Sequence, residues 1–260
     1  MRDEPERLPI GWQRPWLAPY RARGVWVQAA FDAGRGCADA LNEGLGEGAP
    51  VRFVPQSALP AGEAYESFII RTQSVPTRDN LHDFFNGLAW LHFPAAKCRI
   101  HALQAEVIAR RGVGATRGTL RDALTVFDEN GAVLDAPPAL WQALAERDWR
   151  RLFIRERALW REARLLVFGH ALLEKLTQPR KPITAHVLRG PVAAGAIAID
   201  DAAIARALEP AYLAGKPFVP LPVLGIPDWW PQNQNFSFYD DSDVFRPRRV
   251  PEPSPTKPAL

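Results

Sequence analysis

Residues 77–94 read Thr77-Arg78-Asp79-Asn80-Leu81-His82-Asp83-Phe84-Phe85-Asn86-Gly87-Leu88-Ala89-Trp90-Leu91-His92-Phe93-Pro94, and this stretch decides the fold class. Leu81, Phe84, Phe85, Leu88 and Leu91 recur at i, i+3, i+4, i+7 and i+10, which lines one face of an α-helix with large apolar groups. Thr77 or Asp79 is placed to cap the first turn with a side-chain oxygen. Pro94 ends that helix and can open the next, because its fixed φ suits a first helical position. The second helix is expected to run through Cys98 and Ile100 to about Arg111 and to stop at Gly112.

Outward from this pair, Val25, Ala29, Ala33, Ala40 and Leu41 give residues 25–43 helical spacing. The first 24 residues, rich in Pro and Trp (Pro9, Trp12, Pro15, Trp16, Pro19), read as an arm that packs aromatics on the body without regular structure. Val51–Val54 and Tyr65–Thr72 read as short strands, the second through Phe68, Ile69 and Ile70. Leu120–Phe127 reads as a strand too, followed by the turn Asp128-Glu129-Asn130-Gly131 and a return strand over Ala132–Leu134. Asn-Gly between apolar runs is a hairpin signal because both residues tolerate positive φ. Pro138–Trp149 and most of Glu156–Leu176 are expected to be helical, and Ile183–Val187 a strand. Asp200 and Asp201 cap a helix to about Leu213, and from Lys216 the chain reads as proline-punctuated loop. The expected architecture is α+β, predominantly α-helical. One compact domain over residues 1–249 carries an N-terminal aromatic and proline-rich arm and a small β-hairpin or sheet, and a disordered Pro-rich tail covers 250–260.

Composition narrows the class. A 260-residue chain buries roughly 70–75% of the surface its unfolded form exposes. With 47% hydrophobic and 23% charged residues, it needs no disulfide or metal merely to hold together. Two cysteines, Cys37 and Cys98, form neither a disulfide framework nor a C-x-x-C pair and are expected to be reduced. The charged start Met1-Arg2-Asp3-Glu4 shows no signal peptide. No apolar run reaches the roughly 18–20 residues that span a bilayer; the longest covers Pro191–Ile199. A cytoplasmic location with no membrane partner is the expectation. The net charge of +3 is too small to argue for nucleic acid by itself.

The familiar catalytic signatures (Walker A loop, G-x-S-x-G, H-E-x-x-H, paired zinc cysteines) are missing. Gly112-Val113-Gly114 with Gly118 loosely resembles a phosphate loop. Expected to follow a helix and precede a strand, it reads as a helix stop. The histidines are more informative. His82 lies one turn before Asn86, and Asp79 one turn before Asp83 on an adjoining stripe, a polar seam on an apolar helix where a pKa can be tuned. His170 and Glu174 form a second i, i+4 pair within an apolar stretch and must be hydrogen-bonded, paired or metal-bound. His186 lies near a strand end and can complete a cluster, whereas His92 and His101 read as helix-surface residues. Asp128 reads as a turn residue, but Asp122 is out of place in a strand. Asp240-Asp241-Ser242-Asp243 reads as a solvated loop, without the spacing of an EF-hand. Arg147–Arg164 holds seven arginines with Trp149, Phe153 and Trp160. Nucleic acid is a conceivable partner there, but interleaved Glu146, Asp148, Glu156 and Glu162 favour a salt-bridged solvent face.

Several of these segments together resemble the bacterial family called domain of unknown function 3025. They are Val75–Asn86, Arg121–Gly131, Phe168–Lys175, Thr184-Ala185-His186, Pro220–Pro227, Tyr239-Asp240-Asp241 and Val244-Phe245-Arg246, and the resemblance spans roughly residues 10–249. Leu81 stands where an aromatic is expected, and Ile100-His101 where an Asn-Ala-like pair is expected. The family name implies no activity. The resemblance does imply that His82, Asp83, Asn86, Asp122, Asp128, His170, Glu174 and His186 belong to one site.

The functional expectation is a hydrolase, with a divalent metal as conceivable cofactor, acting on an anionic substrate. His82 would be general base or metal ligand, and Asp83 or Asp122 would orient it or share the metal. Arg78 and Arg121 would hold the substrate, and Asn86, His170, Glu174 and His186 would complete the site. The metal candidates are His82, Asp83, His170 and His186. His82-Asp83 also resembles the HD-type metal phosphohydrolases, but those sites need a histidine further upstream and His82 is the first in the chain. The alternatives are a nucleic-acid-binding module and a non-catalytic interaction protein in which the polar groups are core polarity.

Overall fold

Apolar spacing of three and four residues governs most of the chain, and the computed structural model of the protein, which describes residues 10–111, 118–190 and 197–248, follows it. In chain order the elements are α1 (Arg21–Asp32), α2 (Cys37–Glu43), β1 (Arg52–Pro55), α3 (Tyr65–Thr72), β2 (Ser74–Thr77), α4 (Leu81–His92), α5 (Pro94–Arg111) and α6 (Thr119–Asn130). There follow β3 (Gly131–Asp135), α7 (Pro138–Glu146), β4 (Arg164–Val167), α8 (His170–Lys175), β5 (Thr184–Leu188), α9 (Asp201–Ala207), α10 (Pro210–Leu213) and β6 (Phe218–Pro222). The fold is α+β and predominantly helical, as expected.

The deciding stretch is the buried helix α4, with Phe84, Phe85 and Leu88 fully shielded. Its cap is Asn80 rather than Thr77 or Asp79: the Asn80 side chain accepts from the Asp83 backbone N–H at 2.8 Å. Asp79 instead accepts from the Cys37 backbone N–H at 2.6 Å, which fixes the start of α2. The arm is more regular than expected. Residues Pro15–Tyr20 form a 3₁₀ turn that buries Trp16, Leu17 and Tyr20 and leads into α1. The Tyr20 hydroxyl donates to the Val167 carbonyl at 2.8 Å, tying the arm to β4.

Two segments expected as strands are helices. Tyr65, Phe68, Ile69 and Thr72 fall at i, i+3, i+4 and i+7; α3 buries Phe68 and Ile69 and turns Ile70 outward. Leu120, Ala123, Leu124 and Phe127 repeat that spacing, and α6 buries the last three. In both cases the three-four period prevailed over local β propensity. The hairpin therefore does not form. Gly131 has φ −73° and ψ 153°, extended rather than left-handed, so α6 runs straight into β3. Helix over Glu156–Leu176 is interrupted: after a 3₁₀ helix over Arg157–Arg161, the apolar Leu165, Leu166 and Val167 form β4, and α8 is the one α-helix in the segment. The chain beyond Lys216 contains β6, whose prolines are tolerated because it is an edge strand. The Gly112-Val113-Gly114 segment, the apolar run from Pro191 and the Pro-rich tail fall on residues outside those described. Gly118 stands at the N-cap of α6, so that glycine segment leads into a helix, not the strand expected.

A four-stranded sheet runs in the order β4-β3-β5-β6, with β3 antiparallel to β4, parallel to β5, and β5 antiparallel to β6. A small parallel pair, β1-β2, is bridged by α3. One apolar cluster extends from Trp16 to Phe245 and joins both sheets to the helices. Two glycines set the approach of α8 to α6. The Phe168 and Gly169 backbone N–H groups both donate to the Gly131 carbonyl, at 3.0 and 2.9 Å. A Cβ at Gly169 would lie 2.5 Å from the Glu129 carbonyl oxygen, so only glycine lets the start of α8 pass over the end of α6. That crossing delivers His170 to Asp128 and Glu129.

A candidate metal centre in a polar cavity

The first turn of α4 meets α8 and the last turn of α6 around a cavity of about 340 Å³. Its walls carry Tyr65, Arg78, His82, Asp83, Asn86, His101, Gln104, Asp128, Glu129 and His170. Asp83 is buried and holds the rim: its carboxylate accepts from the Arg78 backbone N–H at 2.6 Å and from Arg78 Nε and Nη2 at 3.0 Å each. This bidentate pair fixes the guanidinium and leaves its Nη1 edge without a hydrogen bond among the described residues.

At the centre, His82 Nε2 and His170 Nε2 stand 3.1 Å apart, the rings set edge to face. His82, His170 and Glu129 each offer a ligand atom within 4.8 Å of the others. Behind His82, Glu174 Oε2 lies 3.0 Å from Nδ1. Behind His170, Asp128 Oδ2 lies 4.0 Å from Nδ1, which makes no hydrogen bond. A carboxylate behind each Nδ1 favours the proton there, because an unprotonated nitrogen would face a negative oxygen with its lone pair. In neutral rings that arrangement turns both Nε2 lone pairs inward, toward each other and toward Glu129. Burial, reinforced by Lys97 and His82 and opposed by Asp128, pulls His170 down to about 4, so its ring is neutral at neutral pH. Burial pushes the Glu129 carboxyl up, and Asp128 beside it adds to the shift. The ligand atoms of His82, His170 and Glu129 thus converge on one point of the cavity.

The floor is α5. Lys97, His101 and Gln104, at i, i+4 and i+7, form a polar stripe that is 0%, 3% and 5% exposed. Lys97 Nζ donates to Asn86 Oδ1 at 2.8 Å and to Asp128 Oδ1 at 2.5 Å. Burial would raise the Asp128 carboxyl, but Lys97 overrides it and holds the group at about 2. Asn86 Nδ2 donates in turn to the Tyr65 hydroxyl at 3.1 Å. His101 stacks on Trp90 with ring centres 5.1 Å apart. Its ring is not on the helix surface as expected, neither nitrogen is hydrogen-bonded, and burial and Lys97 pull it down to about 3.

Of the residues singled out from sequence, His82, Asp83, Asn86, Asp128, His170, Glu174 and Arg78 meet here. Asp122 and Arg121 do not line the cavity: Asp122 meets Lys216 at 3.3 Å, and Arg121 meets Glu66, itself on the cavity wall, at 3.9 Å. They start α6, whereas Asp128 and Glu129 end it. His186 lies on β5, paired in register with Gly131 and Pro220, its ring against Phe218. Burial lowers its pKa, and it does not line the cavity. Sequence reading missed Glu129, Lys97, His101 and Gln104. Extending the Leu120–Phe127 helical period would have placed Thr125, Asp128 and Glu129 on one face.

The arginine segment contrasts with this site. Arg150 pairs with Asp240, Arg151 with Glu146 and Glu156, Arg155 with Asp148 and Arg164 with Asp135. Arg157 bonds Tyr239, Asn233 and Gln234, and Asp241 is taken by Lys181 at 2.9 Å. Arg157, Arg161 and Arg164 are not a helical stripe, since this stretch is built of turns and the start of β4.

Fold and site together define an α+β protein with a histidine–carboxylate cavity between helix ends. Residues 51–249 match the family described as "Protein of unknown function (DUF3025)", and the chain belongs to that family. Neither the curated proteins nor the solved structures contain a match to the chain. No helix among the described residues is long and apolar enough to cross a membrane.

Proposed function

We propose that this protein is a divalent-metal-dependent hydrolase, with His82, His170 and Glu129 as the metal ligands. The supporting observation is the 3.1 Å separation of two Nε2 atoms whose Nδ1 sides face carboxylates. Two nitrogens bound to zinc at about 2.0–2.1 Å in tetrahedral geometry would stand about 3.3 Å apart. Two histidines and one carboxylate leave a coordination position open, the pattern of a catalytic rather than a structural ion. Glu174 and Asp128 then act as outer partners that orient the rings. The charge balance agrees. Asp83, Asp128 and Glu66 are matched by Arg78, Lys97 and Arg121, whereas Glu129 and Glu174 have no Lys or Arg partner among the described residues. A dication supplies the missing charge.

Bound there, an ion would bring the pKa of a coordinated water toward about 7 and polarise a carbonyl or phosphoryl oxygen. Water would add across the scissile bond, its oxygen joining the electrophilic centre and its proton leaving with the departing group. Arg78 Nη1, at the rim, is placed to hold a negative group of the substrate. A cytoplasmic, reducing setting suits the two free thiols.

Calorimetric titration of chelator-treated protein with Zn²⁺ or Mn²⁺, followed by assay on a panel of carboxylic and phosphoric esters, tests the reading. One ion should bind per chain and restore hydrolysis, with both lost in Glu129→Gln. A protein that binds neither ion, or whose hydrolysis is indifferent to them, overturns it.

A further inference from the structure

The α5 floor carries polar groups that the metal centre does not use. Gln104 is 5% exposed and lines the cavity, yet its carboxamide makes no hydrogen bond among the described residues. It is also absent from the atoms shut away from any open space, so its amide opens on the cavity. Next to it on the stripe, the His101 nitrogens are also without hydrogen bonds but are shut away from the open space, so the ring shapes this wall without reaching an occupant through its nitrogens. The Tyr65 hydroxyl accepts from Asn86 and has its own proton free among the described residues. Buried polar groups without partners cost about 1–3 kcal/mol each, and folded proteins contain few of them. Gln104, buried, unpartnered and open on the cavity beside the Tyr65 hydroxyl, calls for an occupant.

The chemistry of that occupant can be read from what surrounds it. Gln104 offers a donor and an acceptor side by side, and Tyr65 offers a donor. The carboxylates that act on Tyr65 each have a cation: Asp128 pairs with Lys97 at 2.5 Å, Asp83 with Arg78 at 3.0 Å and Glu66 with Arg121 at 3.9 Å. An ammonium would meet no free carboxylate at this end, and a carboxylate or phosphate no free cation. We infer that Gln104, with Tyr65, forms a specificity subsite for an uncharged carboxamide, ureide or lactam group of the substrate. This deepens the hydrolase reading: the bond to be broken lies at the histidines, and the amide-bearing part is held against α5. Gln104 pairs with it in the two-point manner by which a glutamine side chain recognises an amide-like edge.

The test uses chelator-treated protein and small probes, so that it does not depend on the metal. Ligand-observed NMR titrations with 2-pyridone, urea and acetamide, against acetate and inorganic phosphate, measure preference. The neutral amides should bind and the anions should not displace them. Gln104→Leu should weaken amide binding about tenfold or more, the loss of one well-made hydrogen-bonded contact. The thermal midpoint of that variant should stay level or rise, because an apolar side chain relieves an unsatisfied buried amide. Gln104→Glu keeps the shape and removes the donor, and should lose the amides equally if the leucine variant fails to fold. His82→Ala should keep amide binding, so a failure of the metal reading leaves this one standing. No amide binding to the wild type, wild-type amide affinity in both Gln104 variants, or stronger binding of the anions at this site overturns the subsite.

Discussion

Two regions of this protein are rich in charged and aromatic residues, and they spend their polar groups differently. Along Arg147–Arg164, Arg150, Arg151, Arg155 and Arg164 face carboxylates and Arg157 is held by neutral oxygens, mostly near the surface. Around His82 and His170, polar groups lining one cavity are left without hydrogen bonds: the Gln104 amide, the His101 ring and His170 Nδ1. Charge density alone therefore does not single out the candidate site. The gathering of unpartnered polar groups around one cavity does, because such groups are costly to bury.

The contrast can be broken or sharpened by substitution. Lys97→Met leaves Asp128 as a buried charge without its cation. It should destabilise the protein by about 3–5 kcal/mol in urea unfolding, and a loss under about 1 kcal/mol would mean the pair is not buried as described. Glu174→Gln removes the carboxylate behind His82 while preserving shape. Zinc affinity should fall about 10–100-fold in a calorimetric titration, with the fold intact by circular dichroism.

The next effect is on pH. His101 and His170 accept protons in the unfolded chain near pH 6.5, but in the folded protein only near about 3 and about 4. The unfolded chain therefore gains protons first as the pH falls. Metal-free stability should be full above about 6.5, decline from there to about 4 on account of both His170 and His101, and decline further toward about 3 through His101 alone. His101→Phe, which keeps the stack on Trp90, should flatten this decline in unfolding series from pH 7 to 4; an unchanged slope would contradict the buried neutral ring. The smallest effect belongs to the paired region. Arg155→Ala removes a surface ion pair and should change stability by no more than about 1 kcal/mol, with metal binding untouched.

Much of the frame was legible because local periodicity is a physical constraint on each helix by itself. Leu81, Phe84, Phe85 and Leu88 could only be buried together on one face, and Pro94 could only begin what followed. Tyr65–Thr72 and Leu120–Phe127 were misread because runs such as Phe68-Ile69-Ile70 suit a strand as well as a helix. Packing against neighbours, not local preference, turned Ile70 outward and made the helix. That error hid the third member of the histidine–carboxylate cluster. With Asn130-Gly131 taken for a hairpin, Glu129 became a turn residue instead of the last turn of α6, facing His170 at 3.7 Å. The meeting of His82 with His170, 88 positions apart, had no local signal at all. Only the resemblance to a known family grouped them, and the same grouping wrongly drew in Asp122 and His186, which pack elsewhere. Gly169 was the one local clue to the crossing, since a glycine before a buried histidine marks close backbone approach.

The central claim is that His82 and His170 hold their protons on Nδ1 and offer Nε2 to one metal ion shared with Glu129. Long-range ¹H–¹⁵N spectra of the histidine rings, recorded as zinc is added to chelator-treated protein, test it most directly. The account predicts that the Nε2 signals of both rings shift together and saturate at one zinc per chain, with Nδ1 protonated throughout. Nε2 signals that stay fixed, or a shift at only one of the two rings, would contradict it.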